Sequence, residues 1–414
     1  MLALLALCLP IAEALVPTAS DFAAIETEWR SSQALVGNDD RPSVLPKSLL
    51  SGDSIVFIGR VQHAADGAVN FDMNGVQIKA ALTSTTGLHA FMSQVKKAQG
   101  NTFQVFLDGV IQPNSRFNTS TWVAGQMVKV PIFPPGTLSA EAVHTVTIVK
   151  DTEPQFAGTT VEPNYISFYG LSGDDARARL VAPSLIETSA LHKVEFLGDS
   201  ITAGFDNQCD IPGAPRGFPW SESFTKSWAT LICDALGAEC HYNAWSGFGM
   251  AENCCGGATL GSDVWLRTLA TVGSTNTSDP HGTTAANTWD FDQWTADAVV
   301  INLGTNDHLS SRPSSLSTAY KERYAALIVA AAKAYGNATQ FFLACGPMAT
   351  DYCTEVDWVL KSVGAHGVMA HFLDQRGFED GKHGRSCAYN HPGSQVDAAM
   401  AKNGSAFIKA TMGW

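Results

Sequence analysis

From Lys193 onward strand-like and helix-like segments alternate, and nothing else in the chain restricts the fold as much. Residues 193–198, 240–245, 297–303, 340–345 and 368–373 read as strands, and 227–236, 319–335, 355–363 and 393–412 as helices. Gly237 and Gly336 stand where two of the helices should stop. The run at 297–303 is apolar almost throughout, as a strand buried on both faces must be. Such alternation implies a parallel sheet covered by helices on both faces. We therefore expect a three-layer α/β domain over residues 191–414. Its first strand ends abruptly at Gly198-Asp199-Ser200, which would deliver a serine to the C-terminal edge of the sheet. In open α/β sheets that edge is where ligands bind.

The preceding stretch has a different rhythm. Short β-rich runs at 54–58, 69–73, 76–82, 103–107, 126–132, 143–149 and 165–169 are separated by turn residues. Asn74-Gly75 and Asp108-Gly109 predict hairpins. No long amphipathic pattern interrupts the runs, so residues 51–173 predict a β-sandwich of jelly-roll type. It contains no cysteine and no evident catalytic cluster; it could bind carbohydrate, scaffold the second domain, or both, and scaffolding is the simpler expectation. Residues 174–190 read as a linker and 15–50 as a leader. A length of 414 residues fits two domains better than one core.

A net charge of -13 without a Lys/Arg cluster argues against a nucleic-acid surface. Residues 1–14 form an apolar run followed by Ala12-Glu13-Ala14, the pattern of a secretory signal with a small-residue cleavage site. The run is too short to span a bilayer, and no membrane association of the mature chain is expected. Cys8 would leave with that signal. The remaining cysteines (Cys209, Cys233, Cys240, Cys254, Cys255, Cys345, Cys353 and Cys387) form an even set, which predicts disulfides in a secreted protein. Sequons begin at Asn118, Asn276, Asn337 and Asn403.

Each strand of the second half ends at a polar or glycine-rich tip. Gly198-Asp199-Ser200 follows the first, Trp245-Ser246-Gly247-Phe248-Gly249 the second and Gly304-Thr305-Asn306-Asp307 the third, while Asn390-His391-Pro392 precedes the last helix. These four blocks resemble the signature blocks of the SGNH, or GDSL-type, hydrolases. With a β-rich domain ahead, and with the run from Val143 to Lys150 followed by Thr152-Glu153, the chain is similar to carbohydrate esterase family 2. The resemblance covers roughly residues 54–412. It implies a three-layer, flavodoxin-like parallel sheet behind the β-sandwich, and no metal or organic cofactor.

It also implies roles. Ser200 would be the nucleophile and His391 the general base and then acid. The N–H groups of Ser200 and Gly247 and the side-chain amide of Asn306 would form the oxyanion hole, and Asp307 would be a structural hydrogen-bonding residue. One departure stands out: the position three before His391, commonly an aspartate, is Ala388, and the position two before is Tyr389. We therefore expect a Ser200–His391 dyad with the imidazole Nδ1–H on a backbone carbonyl, or a distant carboxylate such as Asp374, Glu379 or Asp380 in support. Trp245 and Phe248 flank Gly247 and are candidates either for substrate contact or for the core. Cys209 is expected to pair with Cys254 or Cys255. His241, His308, His366, His371 and His383 show no metal-ligand spacing. The function implied is a secreted, monomeric esterase releasing acetyl groups from polysaccharides such as acetylated xylan. The alternatives are a lipase or thioesterase on longer acyl chains, and a carbohydrate-binding protein without activity.

Overall fold

The computed structural model describes residues 49–96, 100–112, 115–155, 163–182, 184, 191–214, 217–257, 259–273, 287–379 and 381–414. The expected signal sequence, the expected leader up to residue 48, the sequon at Asn276 and Asp380 lie outside these residues. The first domain contains β1 (Ile55–Ile58), β2 (Gln62–His63), β3 (Val69–Phe71), β4 (Gln77–Thr83), β5 (Leu88–Gln94), β6 (Thr102–Leu107), β7 (Val110–Ile111), β8 (Phe117–Asn118), β9 (Val128–Phe133), β10 (His144–Lys150), β11 (Ile166–Gly173) and β12 (Arg179–Leu180).

These strands form two antiparallel sheets. One has the order β1-β4-β10-β6-β7, with β12 beside β4 and β8 beside β6; the other has the order β2-β3-β11-β5-β9. Strands β6 and β7 make the hairpin expected at Asp108-Gly109, with both turn residues at positive φ (51° and 78°). Asn74-Gly75 is not a hairpin. It carries the chain from β3 in one sheet to β4 in the other, and Gly75 (φ 69°) packs so closely on Phe224 and Tyr242 that a Cβ would collide with both rings. The segment read as a linker contributes β12 to the sandwich.

The second domain contains β13 (Lys193–Gly198), α1 (Ser200–Ala203), α2 (Trp228–Leu236), β14 (Glu239–Ala244), α3 (Gly261–Val264), β15 (Ala298–Asn302), α4 (Ser314–Tyr335), β16 (Gln340–Cys345), α5 (Cys353–Gly364), β17 (Ala370–Asp374) and α6 (Ser394–Met412). Its sheet is parallel in the order β14-β13-β15-β16-β17, the flavodoxin-like arrangement. Helix α2 shows why the sequence signals worked. The Ser227 hydroxyl caps its first turn by accepting from Thr230 N–H, and Gly237 ends it in the left-handed conformation. Alternate strand residues face opposite layers. Leu197, Val299, Ile301 and Leu343 pack with α4 and α5, while Val194, Phe196, Val300 and Phe342 pack with α2 and α6.

The two domains share buried polar contacts. Arg60, just after β1, reaches Glu195 in β13 at 2.7 Å with both side chains fully buried, and also donates to Arg267 O at 2.8 Å. Glu195 further accepts from Trp265 Nε1 (2.9 Å), Tyr335 OH (2.9 Å) and Asn243 Nδ2 (3.0 Å). Asp72 accepts from the N–H groups of Ala270 (2.8 Å) and Thr271 (2.7 Å). Breaking a buried pair by removing one partner typically costs about 3–5 kcal/mol. Arg60→Ala should therefore lower unfolding stability by about that amount in a denaturant titration.

The disulfides are Cys209–Cys387, Cys233–Cys240, Cys254–Cys255 and Cys345–Cys353. The expected pairing of Cys209 with Cys254 or Cys255 is thus incorrect. Cys209 lies on the loop that faces Cys387 beside His391, and the two adjacent cysteines bond each other. Among the sequons, Asn118 is buried and its Oδ1 accepts from Ser120 N–H and Oγ–H, so the folded protein offers no room for a glycan there. Asn337 is exposed after α4, and Asn403, in α6, donates to Asp374 O.

Candidate active site

In a sheet of this order the chain leaves β13 and β15 toward opposite faces, which opens a crevice at their C-terminal tips. Ser200 begins the single turn of α1 directly after β13, where the Asp199 carboxylate caps the turn by accepting from Ile201 N–H at 3.0 Å. A Cβ at Gly198 would strike the Thr202 side chain, so the tight strand-to-helix turn needs glycine there.

His391 comes from a different part of the chain and meets this serine. Its Nε2 lies 2.7 Å from Ser200 Oγ and its Nδ1 2.8 Å from Ala388 O. A carbonyl oxygen only accepts, so Nδ1 carries the ring proton and the Nε2 lone pair faces the serine hydroxyl. Burial lowers the pKa of His391, with the Ala388 carbonyl and the negative charge of Asp206 opposing that shift.

The turn that offers the carbonyl is held tightly. Tyr389 and Asn390 both have left-handed backbone (φ 55° and 64°), uncommon for residues with side chains. Asp206, itself at φ 54°, accepts from Ala388 N–H at 2.9 Å. Cys209 is bonded to Cys387, and Asp210 accepts from Ser394 Oγ–H (2.8 Å) and Gln395 N–H (3.0 Å). The loop after α1 therefore clamps the His391 turn at three points. Neither described carboxylate named as a distant support bonds the imidazole. Asp374 forms a two-point pair with Arg376 (2.8 and 2.7 Å), and Glu379 accepts from Ser386 Oγ–H.

Gly247 sits at φ 82° in a turn closed by Phe248 N–H donating to Trp245 O at 3.3 Å, the signature of a type II turn. Among the described residues, the backbone N–H groups of Ser200 and Gly247 have no protein acceptor. Asn306 Nδ2 donates to Phe248 O at 2.9 Å and to Asp199 Oδ2 at 3.2 Å. Burial, with Asp307 and Glu153 adding negative charge, pushes the Asp199 carboxyl up to about 7. Asp307 accepts from the N–H groups of Met250 (2.9 Å), Ala251 (2.7 Å) and Glu252 (2.9 Å), fixing the strand of chain that follows Gly247.

Trp245 and Phe248 are core residues. Both are buried, stack on each other at 4.6 Å and join the apolar core of the β-sandwich. The disulfide Cys254–Cys255 lies beside Gly247, whose carbonyl accepts from Cys254 N–H at 3.0 Å. Of the other histidines, His241 is buried and stacked on Trp294, His371 pairs with Gln340, and His308, His366 and His383 are exposed. Asp206 and the Cys209–Cys387 link were not singled out from sequence, and Glu153 was named there without a role, because each acts on a residue far along the chain.

Residues 196–395 match the family model described as the GDSL-like Lipase/Acylhydrolase family. The cellulase/esterase CelE of Acetivibrio thermocellus is 29% identical over 330 residues, which is 77% of this chain and 35% of that protein. The chain thus spans about a third of that relative's length. Among solved structures, a family two carbohydrate esterase from Clostridium thermocellum in complex with cellohexaose has a TM-score of 0.70 at 24% identity, covering 87% of this chain and 99% of that one. An acetyl xylan esterase, Est2A, from the rumen bacterium Butyrivibrio proteoclasticus has a TM-score of 0.66 at 16% identity, covering 88% and 98%. The match to the GDSL-like Lipase/Acylhydrolase model thus falls on the parallel α/β domain, and the chain, with that domain set behind a β-sandwich, has the fold of the family two carbohydrate esterases of known structure.

Proposed function

We propose that the protein is a secreted, monomeric serine esterase that hydrolyses O-acetyl esters of polysaccharides, with hemicellulose such as acetylated xylan as the substrate class. The observation that carries this reading is the 2.7 Å approach of His391 Nε2 to Ser200 Oγ, with Nδ1 already committed to Ala388 O. Support for the substrate class comes from the relatives, one named a cellulase/esterase and another an acetyl xylan esterase. The disulfides and the apolar opening of the sequence support secretion.

In this reading Ser200 Oγ bonds to the acetyl carbonyl carbon while its proton passes to His391 Nε2. The carbonyl oxygen becomes an oxyanion held by the Ser200 and Gly247 N–H groups. It also draws Asn306 Nδ2 away from its longer bond to Asp199. The C–O bond to the sugar then breaks, and the imidazolium returns the proton to the leaving alkoxide. Water, giving a proton to the same imidazole, then attacks the acetyl carbon; the bond to Ser200 Oγ breaks, the imidazolium returns the proton to that oxygen, and acetate leaves. The test is acetate release from a panel of acetylated glycans, with Ser200→Ala as the control. Activity on palmitoyl but not acetyl 4-nitrophenyl esters would favour a lipase. Binding of glycans without any release of acetate would favour a non-catalytic role.

The active base is the neutral imidazole, whose pKa lies below the usual histidine value. The acid limb of kcat/KM should accordingly fall on the acidic side of that value. Asp206 both anchors the Ala388 turn and opposes the shift. Asp206→Ala should move the limb further toward acid and lower kcat on the order of tenfold, equivalent to about 1.4 kcal/mol in the barrier. A pH–rate profile of both proteins checks this.

A further inference from the structure

The oxyanion turn is gripped from the first domain as well as the second. Ser246 N–H, one peptide before the Gly247 donor, points at Glu153 Oε2 at 2.7 Å. Glu153 lies just beyond β10, in the segment that leaves the β-sandwich, and is 4% exposed. Its own backbone is fixed: the N–H donates to Glu222 Oε1 at 2.6 Å, and the carbonyl accepts from Lys150 Nζ at 2.8 Å and Gln155 Nε2 at 3.2 Å. Other tethers of the turn come from the second domain, among them Trp245 N–H on Gly198 O at 3.2 Å, Cys254 N–H on Gly247 O at 3.0 Å, Asn306 Nδ2 on Phe248 O at 2.9 Å, and Gly249 N–H on Asn253 Oδ1 at 2.9 Å. None of these holds the peptide linking Trp245 to Ser246 from its N–H side.

We propose that Glu153 is a positioning residue for the oxyanion hole, and that through it the β-sandwich forms part of the active site rather than an appended module. The carboxylate holds Ser246 N–H and so sets the orientation of the next peptide, which presents the Gly247 N–H to the substrate. Donors for an oxyanion act well only when they are already aimed at it, so a turn free to rock about Gly247 loses rate without losing substrate affinity. The packing agrees with this. Trp245 and Phe248, on either side of Ser246 and Gly247, are embedded in the apolar core of the sandwich. Burial raises the Glu153 carboxyl above the usual carboxylate range, with Lys150 and the bond from Ser246 opposing, and Glu222 is raised beside it. The acceptor role does not require ionisation, since a neutral carbonyl oxygen can take the same N–H.

The inference rests on the serine-esterase reading, and the experiment separates the two. Wild type, Ser200→Ala, Glu153→Gln, Glu153→Asp and Asp72→Ala are compared for kcat and KM on 4-nitrophenyl acetate and for Tm. Glu153→Gln keeps the reach and removes the charge, whereas Glu153→Asp keeps the charge and falls short by one methylene. Expected is a kcat for Glu153→Gln within threefold of wild type. Glu153→Asp should lose about tenfold or more in kcat with KM within twofold, less than the 10²–10³-fold typical of removing a donor outright. Asp72→Ala, which cuts the same domain interface away from the site, should lower Tm and leave kcat within twofold. Full activity in Glu153→Asp, equal losses in the Gln and Asp variants, or the same kcat loss in Asp72→Ala would overturn the positioning role. Wild-type hydrolysis that survives Ser200→Ala would overturn the serine reading and this inference with it.

Discussion

His391→Ala is expected to lower kcat for acetyl ester hydrolysis by roughly 10⁴- to 10⁶-fold, and Ser200→Ala by as much, because nucleophile and base act as one unit. The double variant should be no worse than either single one, which a kcat comparison at saturating substrate would establish. Both side chains sit at the crevice, so neither change should cost much stability. The contrast lies in the carboxylates. Asp374→Ala and Glu379→Ala should leave kcat within about threefold, less than 1 kcal/mol of barrier, since Asp374 is engaged with Arg376 and Glu379 with Ser386. What orients the imidazole here is a carbonyl fixed by the surrounding turn. That arrangement puts no carboxylate in direct contact with the ring, and burial holds the imidazole pKa below its ordinary value.

The second large effect is expected at Asp307. Its carboxylate is the shared acceptor for three consecutive N–H groups, those of Met250, Ala251 and Glu252. Burial raises its pKa even against these three bonds. Asp307→Ala leaves all three donors without their acceptor, and hydrogen bonds to a charged group are each worth about 1.5–3 kcal/mol. We expect a stability loss of about 3–5 kcal/mol, at about 1–2 kcal/mol for each N–H left without an acceptor. Because the released chain leads directly from Gly247, kcat should fall in addition by about 10²-fold, as when one oxyanion donor is lost. Asp307→Asn, which keeps one good acceptor oxygen, should fall between. Denaturant titration and kcat measured on the folded fraction separate the two effects.

These residues also show how far the sequence could be read. Alternation of strand and helix, with Ser227 and Gly237 bounding a helix, was enough for the parallel sheet, because caps and apolar faces are local signals. The four loop blocks were legible because a parallel sheet brings its C-terminal tips to one edge. Strand β5 went unread: Leu88 to Gln94 is buried on both sides between β11 and β9, so it lacks the polar alternation of an edge strand. Asn74-Gly75 misled because the residues that demand glycine there, Phe224 and Tyr242, belong to the other domain. Trp245 and Phe248 were undecided from sequence for the same reason, their environment being the core of the sandwich. The Cys209–Cys387 link and the roles of the carboxylates at Asp206 and Glu153 depend on contacts across 178, 182 and 93 residues, which no local pattern encodes.

The central claim is that Ser200 is a nucleophile made reactive by His391. A fluorophosphonate, which bonds covalently to an activated serine, tests it directly when followed by peptide mass mapping. The account predicts one adduct, on the peptide containing Ser200, formed by the wild type and absent from His391→Ala. An adduct on another residue, or equal labelling in the two proteins, would contradict it.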